Sequence, residues 1–274
     1  MPVGVNGTAS HHFVAYFGPA DFFTLAKQGH AFELERAVDL GWNWITPVSR
    51  LLLQGLRVIA GVVHNYGLTI LLLAFLIRLA LHPMNLSSMK SMRAMQRLQP
   101  ELERLRERHK NDPQALNAAT IGLYREHNVN PASGCLPMLL QMPLFFALYA
   151  TINNAIDLRQ APFVGWIHDL SAPDTLFMLG PLPVRLLPII MTAVGFLGQV
   201  FTPTQPEQAP TMYMMNLVML FVFYNMPSGL VLYWTTMNLF NAVQQWMAKK
   251  HDEGQVVVAP APSPAKGRKK GGRG

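Results

Sequence analysis

Apolar residues in this chain gather into blocks parted by short polar breaks, and five blocks are long enough to read as bilayer-crossing helices. They are Leu68 to Leu81, Leu136 to Ile156, Leu182 to Phe201, Met212 to Met226 and Gly229 to Met247. A crossing takes roughly 20 residues at about 1.5 Å rise each. The first block, extended back through Tyr66, and the fourth are short, so flanking residues must contribute or the bilayer must thin around them. With those flanks the spans are expected at 66–83, 136–157, 182–202, 211–226 and 228–248. Only Asn225, Met226, Pro227, Ser228 and Gly229 part the last two, a Pro/Gly turn that predicts a tight helical hairpin.

Residues 38–65 carry another pattern. Asn43, Thr46, Arg50, Gln54, Arg57, Gly61 and His64 recur at spacings of three and four, and Ile45, Val48, Leu52, Ile59 and Val62 fall on the complementary face. One polar stripe on an apolar helix predicts an amphipathic helix lying in the membrane interface. A further spanning helix with its polar face turned inward is the other reading the pattern allows.

The stretch 84–135 is polar but patterned. Pro100 followed by Glu101 and Glu103 marks a helix start, with Leu98, Leu102 and Leu105 on one side. Asp112 then Pro113 marks a second, after which Leu116, Ala119, Thr120 and Leu123 repeat at helical spacing until Asn130 and Pro131. Joined at Lys110 to Asp112, these predict an antiparallel helical hairpin standing off the membrane.

Composition agrees: of 274 residues 50% are hydrophobic and 14% charged, which excludes an ordinary soluble domain. The net charge of +7 is placed by topology. Lys90, Arg93, Arg97, Arg104, Arg106, Arg108, Lys110 and Arg125 fill the 84–135 loop, and Lys249, Lys250, Lys266, Arg268, Lys269, Lys270 and Arg273 fill the tail, 249–274. By the positive-inside rule both are cytoplasmic, so the N-terminus lies outside. The 158–181 loop, bordered by Asp157 and holding Asp169 and Asp174 against Arg159, falls outside as required. The 203–210 loop must be cytoplasmic yet has no Lys or Arg. From Gly254 onward the tail is rich in Pro, Ala, Gly and Lys and is expected to be disordered. Cys135 is the single cysteine, which excludes an intramolecular disulfide and a Cys-based zinc site. No cation precedes Lys27, which argues against a cleavable secretory signal. The fold class is an all-α polytopic membrane protein.

Arg78 is the only charge within the first span, and a mid-membrane arginine costs at least about 2.5–3.5 kcal/mol on insertion scales. Three residues from Leu81, it is either a snorkelling anchor or a functional cation. Trp234, Asn238, Asn241 and Gln245, spaced by four, three and four, share one face of the last span, and Gln199 and Gln141 add neutral polar groups in two others. Such groups either glue helices together or line a common polar interior. With no carboxylate well inside a span, a proton relay or cation-coupled transporter lacks its parts. Ser228 sits without the glycine of a serine-nucleophile elbow, and the scattered methionines read as filler more than as copper ligands.

In order along the chain, IRLALHPMNLSSMKSM, MQRLQPELERLRER, NPASGCLPMLLQMPLFFALY, LRQAPFVGWIHDLS and MPSGLVLYW resemble the YidC, mitochondrial Oxa and thylakoid Albino family of membrane protein insertases, and most of all its bacterial YidC form. The resemblance runs from about Val38 to Met247. It implies five helices around a hydrophilic groove open to the cytoplasm and to lipid but closed outside. Arg78 would be the groove arginine and Gln199 and Trp234 two further groove positions, joined on the polar pattern by Asn238, Asn241 and Gln141. It also implies nascent membrane proteins as substrates, the ribosome as a partner through tail and hairpin, the Sec translocon as a second partner, and the bacterial inner membrane as the location, with no cofactor, metal or catalytic residue. Residues 1–37, including YFGPADFFTLAKQ, resemble the end of a large periplasmic domain whose remainder and preceding anchor helix the sequence lacks. The rivals are a secondary transporter of a small anionic solute, which would be favoured by inverted repeats with broken helices, and a scaffold, which has no need of a buried cation.

Overall fold

The computed structural model describes residues 15–28, 33–130, 132–202 and 209–255. The 203–208 loop and the tail from residue 256 lie outside them, as does the Cys135 side chain. Ten helices follow one another: α1 Phe22–Gln28, α2 Thr46–Val63, α3 Tyr66–Ala80, α4 His82–Arg97, α5 Gln99–Arg108, α6 Pro113–Glu126, α7 Ala132–Asn154, α8 Leu186–Phe201, α9 Ala209–Tyr224 and α10 Ser228–Gln255. A two-stranded hairpin, β1 Phe177–Leu179 and β2 Leu182–Val184, stands between α7 and α8.

Local chemistry sets these boundaries. His64 takes φ +56° and ends α2, and the side chain of Asn65 accepts the Leu68 N–H at 3.0 Å to start α3. Pro83, in the first turn of α4, has no N–H for the preceding helix, and α3 and α4 meet at a 61° bend. Asp112 accepts the N–H groups of Gln114 and Ala115 at 3.1 and 2.9 Å, so the α5–α6 hairpin starts where its cap and proline predict. Leu98 and Leu102 are buried in it, with Leu116, Ala119, Thr120 and Leu123 half-buried across from them.

Several expected bounds move. Residues 38–45 are not helical, so the amphipathic helix is 46–63. The span expected from residue 182 opens as strand β2, because Pro183 and the extended Arg185 delay the helix to Leu186. The seven residues from Lys249 to Gln255 continue α10 instead of joining the tail. Lys249 and Lys250 lie 6.0 and 5.7 Å from the rings of Phe201 and Trp246, and neither Lys nor Ala interrupts a helix. Nor do α9 and α10 pair along their lengths: beyond the turn α9 follows α8.

At the centre α10 packs along α8 and α3, and α7 crosses α2 and α4. Gly198 lets α8 approach closely, since a Cβ there would sit 3.5 Å from that of Ala242. Leu230, Val231, Tyr233, Ile70, Ala74 and Ile152 make the dry core. One end of the bundle is closed by residues 155–174. Leu158 and Leu170 are fully buried there, and the N–H groups of Ser228 and Gly229 donate to the carbonyls of Ala172 and Leu170 at 2.8 and 2.9 Å. Gly229 is required by this approach, because a Cβ would lie 3.0 Å from the Leu170 carbonyl oxygen. Burial alone would raise the Asp169 carboxyl, but hydrogen bonds from the Ser171 hydroxyl and N–H hold it below its ordinary value.

Among the described residues α2 is the one helix that is by itself long and apolar enough to cross a bilayer; α3 and α4 would qualify only as a bent pair. At 16 residues each, α8 and α9 cover about 24 Å. Large apolar side chains nonetheless face outward on α3, α8 and α9, among them Phe75, Leu197, Met214 and Phe221, which no water-soluble surface would carry in such number. α2 has three faces. Ser49, Leu52, Leu53, Leu56 and Ala60 are buried against α3 and α7, whereas Leu51, Val58 and Val62 are exposed.

The polar stripe of α2 is docked on the segment that holds α1. Arg57 donates to Asp21 at 2.6 Å and to Asp157 at 3.1 Å and lies 4.6 Å from the Phe23 ring, while Arg50 lies 5.0 Å from Phe22. Burial pushes the Asp21 carboxyl up, but hydrogen bonds from Thr24 and Arg57 prevail and hold it below its ordinary value. A lowered carboxyl contributes stability above the unfolded value of about 3.9 and loses it as pH falls through the lower folded value. Spin labels at Lys27→Cys and Val58→Cys, on a Cys135→Ser background, should therefore keep one sharp separation at neutral pH and a broad one only well below pH 4. Asp21→Asn should broaden it at neutral pH too.

Candidate functional site

At the end of the bundle away from the closing segment, two adjoining cavities of about 330 and 200 Å³ open between α3, α4, α7, α8, α9 and α10. Both are lined by Arg78, Asn85, Asn238 and Asn241. The larger adds Gln199, Asn216, Gln244 and Gln245, and the smaller adds Gln141 and Trp234. The structure thus brings all six expected groove residues, Arg78, Gln141, Gln199, Trp234, Asn238 and Asn241, to one place. They come from four helices that the chain order separates widely.

Each is positioned by its helix. Eleven residues along α3 from Gly67 carry Arg78 about 16 Å from the closed end. Its guanidinium, half-buried, donates to Gln244 Oε1. Gln199, in the last turn of α8, donates from Nε2 to the Met212 carbonyl of α9 at 2.8 Å. Asn238 reaches the Met191 carbonyl at 3.5 Å, a weak bond. Trp234 closes the apolar side, with its ring 5.1 Å from Phe223 and 5.6 Å from Phe145.

The chemistry of the lining is that of amides around one cation. Among the described residues no Asp or Glu lines either cavity. Gln199 Oε1, Asn216 Nδ2 and Gln244 Nε2 are buried without a partner among the described residues, although such groups are normally satisfied. Donors and acceptors of this kind match water or a peptide main chain. Among the described residues no group of three or more His, Cys, Asp or Glu side chains that would hold a metal ion is present.

Four lining residues escape the sequence pattern. Gln244 lies beside the stripe that includes Gln245, and only the reach of a long arginine across to α10 selects it. Asn85, seven residues after Arg78, and Asn216, the lone amide within MYMMNLVMLF, carry a signal that helical spacing and polarity would reveal. Ser88 is buried one turn beyond Asn85, and the bend at Leu81 brings both under Arg78.

The model for the 60Kd inner membrane protein family matches residues 58–255, a range that contains α3 to α10 and every residue named in the cavities. The chain belongs to that family. It is 44% identical over 232 residues to a membrane protein insertase YidC of Geobacter metallireducens, covering 84% of this chain and 41% of that protein. A membrane protein insertase YidC of Coxiella burnetii is 41% identical over 254 residues, 91% of this chain and 42% of the relative. The chain therefore spans about two fifths of the length of these relatives. Its fold matches the crystal structure of an active YidC insertase with the first transmembrane domain resolved, at a TM-score of 0.62 and 27% identity, over 82% of this chain and 50% of that one. The helical bundle is that of an inner-membrane protein family, as the sequence motifs imply.

If the Gln244 amide holds the guanidinium, Gln244→Leu should lower stability in detergent by about 1.5–3 kcal/mol, the range for a hydrogen bond to a charged group. Gln244→Glu should restore or exceed the wild-type midpoint. Equal thermal midpoints for wild type and Gln244→Leu would assign the bond no energetic role.

Proposed function

We propose that this chain carries the inserting core of a membrane protein insertase: the cavity at Arg78 receives the polar segment of a nascent membrane protein while its apolar flanks leave sideways into lipid. The observation that carries the reading is a half-buried cation with, among the described residues, only amides and Met, Gly, Ser and Thr side chains around it in the larger cavity, in a chain of the 60Kd inner membrane protein family. An unneutralised guanidinium attracts an acidic segment more strongly than it would in water, because the surrounding dielectric is low. Amide side chains exchange hydrogen bonds with an extended main chain, whatever its sequence. No covalent step and no cofactor enters. A transporter of a small anion would use the same cation, but the relatives' names favour insertion.

The topology that goes with this function has the N-terminus outside, α2 lying in the outer interface with its polar stripe covered by α1, and five spans. Residues 155–174 then close the groove outside, and α4 with the α5–α6 hairpin borders it in the cytoplasm. The basic loop and tail support that orientation, and also ribosome binding, with the Sec translocon as a further partner.

Liposomes holding the purified chain should insert a small single-spanning substrate with an acidic outer segment. Arg78→Lys should keep much of that activity and Arg78→Ala should lose it, whereas a substrate with the acids neutralised should depend little on Arg78, because the coupling lies between the two charges. Normal insertion of both substrates by Arg78→Ala would refute the reading. For the tail, removing residues 254–274 should weaken co-sedimentation with ribosomes and flatten its salt dependence, since its cations release counterions from RNA phosphates. An unchanged salt slope would leave the tail as a solvated terminus.

A further inference from the structure

The β1–β2 hairpin plays no part in the cavities. Phe177, Met178, Leu179 and Leu182 are 51, 59, 66 and 67% exposed, and no charged residue occurs from Thr175 to Val184. The register pairs Phe177 with Val184 and Leu179 with Leu182 on one face, and Met178 with Pro183 on the other, so both faces are apolar. Gly180, at φ +61°, supplies the turn. Exposed apolar side chains on both faces of a two-stranded ribbon give it no core of its own.

Its base is held firmly. The Tyr224 hydroxyl donates to the Pro183 carbonyl at 2.6 Å, and Arg185 donates to the Tyr224 carbonyl and to Asn225 Oδ1. Asp174, at the other side of the base, accepts the Trp166 indole N–H and the Leu187 N–H, each at 2.9 Å. The ribbon is thereby fixed beside the start of α8 and the end of α9, next to the exposed Phe221 and Val222. At about 24 Å, α8 and α9 fall about 6 Å short of a hydrocarbon layer of about 30 Å. A three-residue strand spans about 10 Å, enough to extend the apolar surface by the missing length.

We propose that the hairpin tip is a shallow lipid anchor, with Phe177, Met178, Leu179 and Leu182 lying among the outer-leaflet chains and extending the apolar surface of α8 and α9. The inference rests on the reading of those two helices as membrane spans. The ribbon's edges carry unpaired backbone groups, which confines the tip to the interfacial depth where water still reaches.

The test uses the whole chain on a Cys135→Ser background, reconstituted in vesicles of phosphatidylethanolamine and phosphatidylglycerol, with nitrobenzoxadiazole on Leu179→Cys. Leu197→Cys, exposed along α8, and Asn111→Cys, exposed in the α5–α6 turn, are the references. A lipid spin-labelled near its headgroup and present in both leaflets should quench the Leu179 site about threefold more than the Asn111 site, and aqueous iodide present on both sides of the vesicle should do the reverse. Unlabelled Leu179→Cys should also react with N-ethylmaleimide, which reaches both sides of the vesicle, about threefold more slowly than Asn111→Cys, because an apolar site disfavours the thiolate. Iodide quenching equal to that at Asn111 would place the tip in water and overturn the proposal. Quenching by neither agent would mean that a protein surface covers the tip, which also overturns it. If Leu197 too escapes the lipid quencher, the membrane reading of α8 itself fails.

Discussion

The guanidinium of Arg78 has to remain charged within the apolar helix α3, and among the described residues no carboxylate lining the cavities shares that charge. A salt bridge would have satisfied it and made it inert. A neutral amide from Gln244 fixes the group and leaves its net charge available. Arg78 then depends on a wet, amide-lined space, since a dry one would penalise the lone cation by several kcal/mol. The polar residues of α4, α8, α9 and α10 converge for that reason, and they lie toward one end of the bundle.

The other end is built by the opposite means. Main-chain bonds from Ser228 and Gly229 to residues 172 and 170 join there with the carboxylates of Asp169 and Asp174, each held by donors of its own, over the buried Leu158 and Leu170. The missing Cβ of Gly229 admits the loop to the α10 N-terminus. Where α8 and α10 touch, Gly198 and Ala242 bring the helices too close for a wedge between them. By contrast α9 leans mainly on α8, with Phe223 at its end against Phe145 and Trp234.

The helices were legible in the sequence because caps, prolines and apolar blocks are local signals: Asp112 and Pro113 start α6 where they should, and Asn65 and the Pro227 turn mark two more boundaries. That the six residues Arg78, Gln141, Gln199, Trp234, Asn238 and Asn241 would converge was legible because polar side chains in apolar blocks stand out, and the family resemblance pointed to three of them, Arg78, Gln199 and Trp234. What stayed hidden was tertiary. The Arg78–Gln244 pair joins residues 166 apart, and nothing local favours Gln244 over Gln245. The Asp21–Arg57–Asp157 cluster turned a stripe expected to face headgroups toward α1. Strand β2 at the start of an apolar block was hidden because Leu and Val suit a strand as well as a helix, and only Pro183 hinted otherwise.

On the proposed insertase reading, the 61° bend between α3 and α4 sets an order of encounter. Beyond it α4 turns aside, and its Asn85, Met89 and Met92 line the larger cavity at increasing distance along the chain from Arg78. A chain arriving from the α4 side slides first over two flexible thioethers, which adapt to almost any side chain and select for none. Discrimination by charge would begin only after that threshold had been crossed, so the doorway would be permissive and the seat behind it choosy.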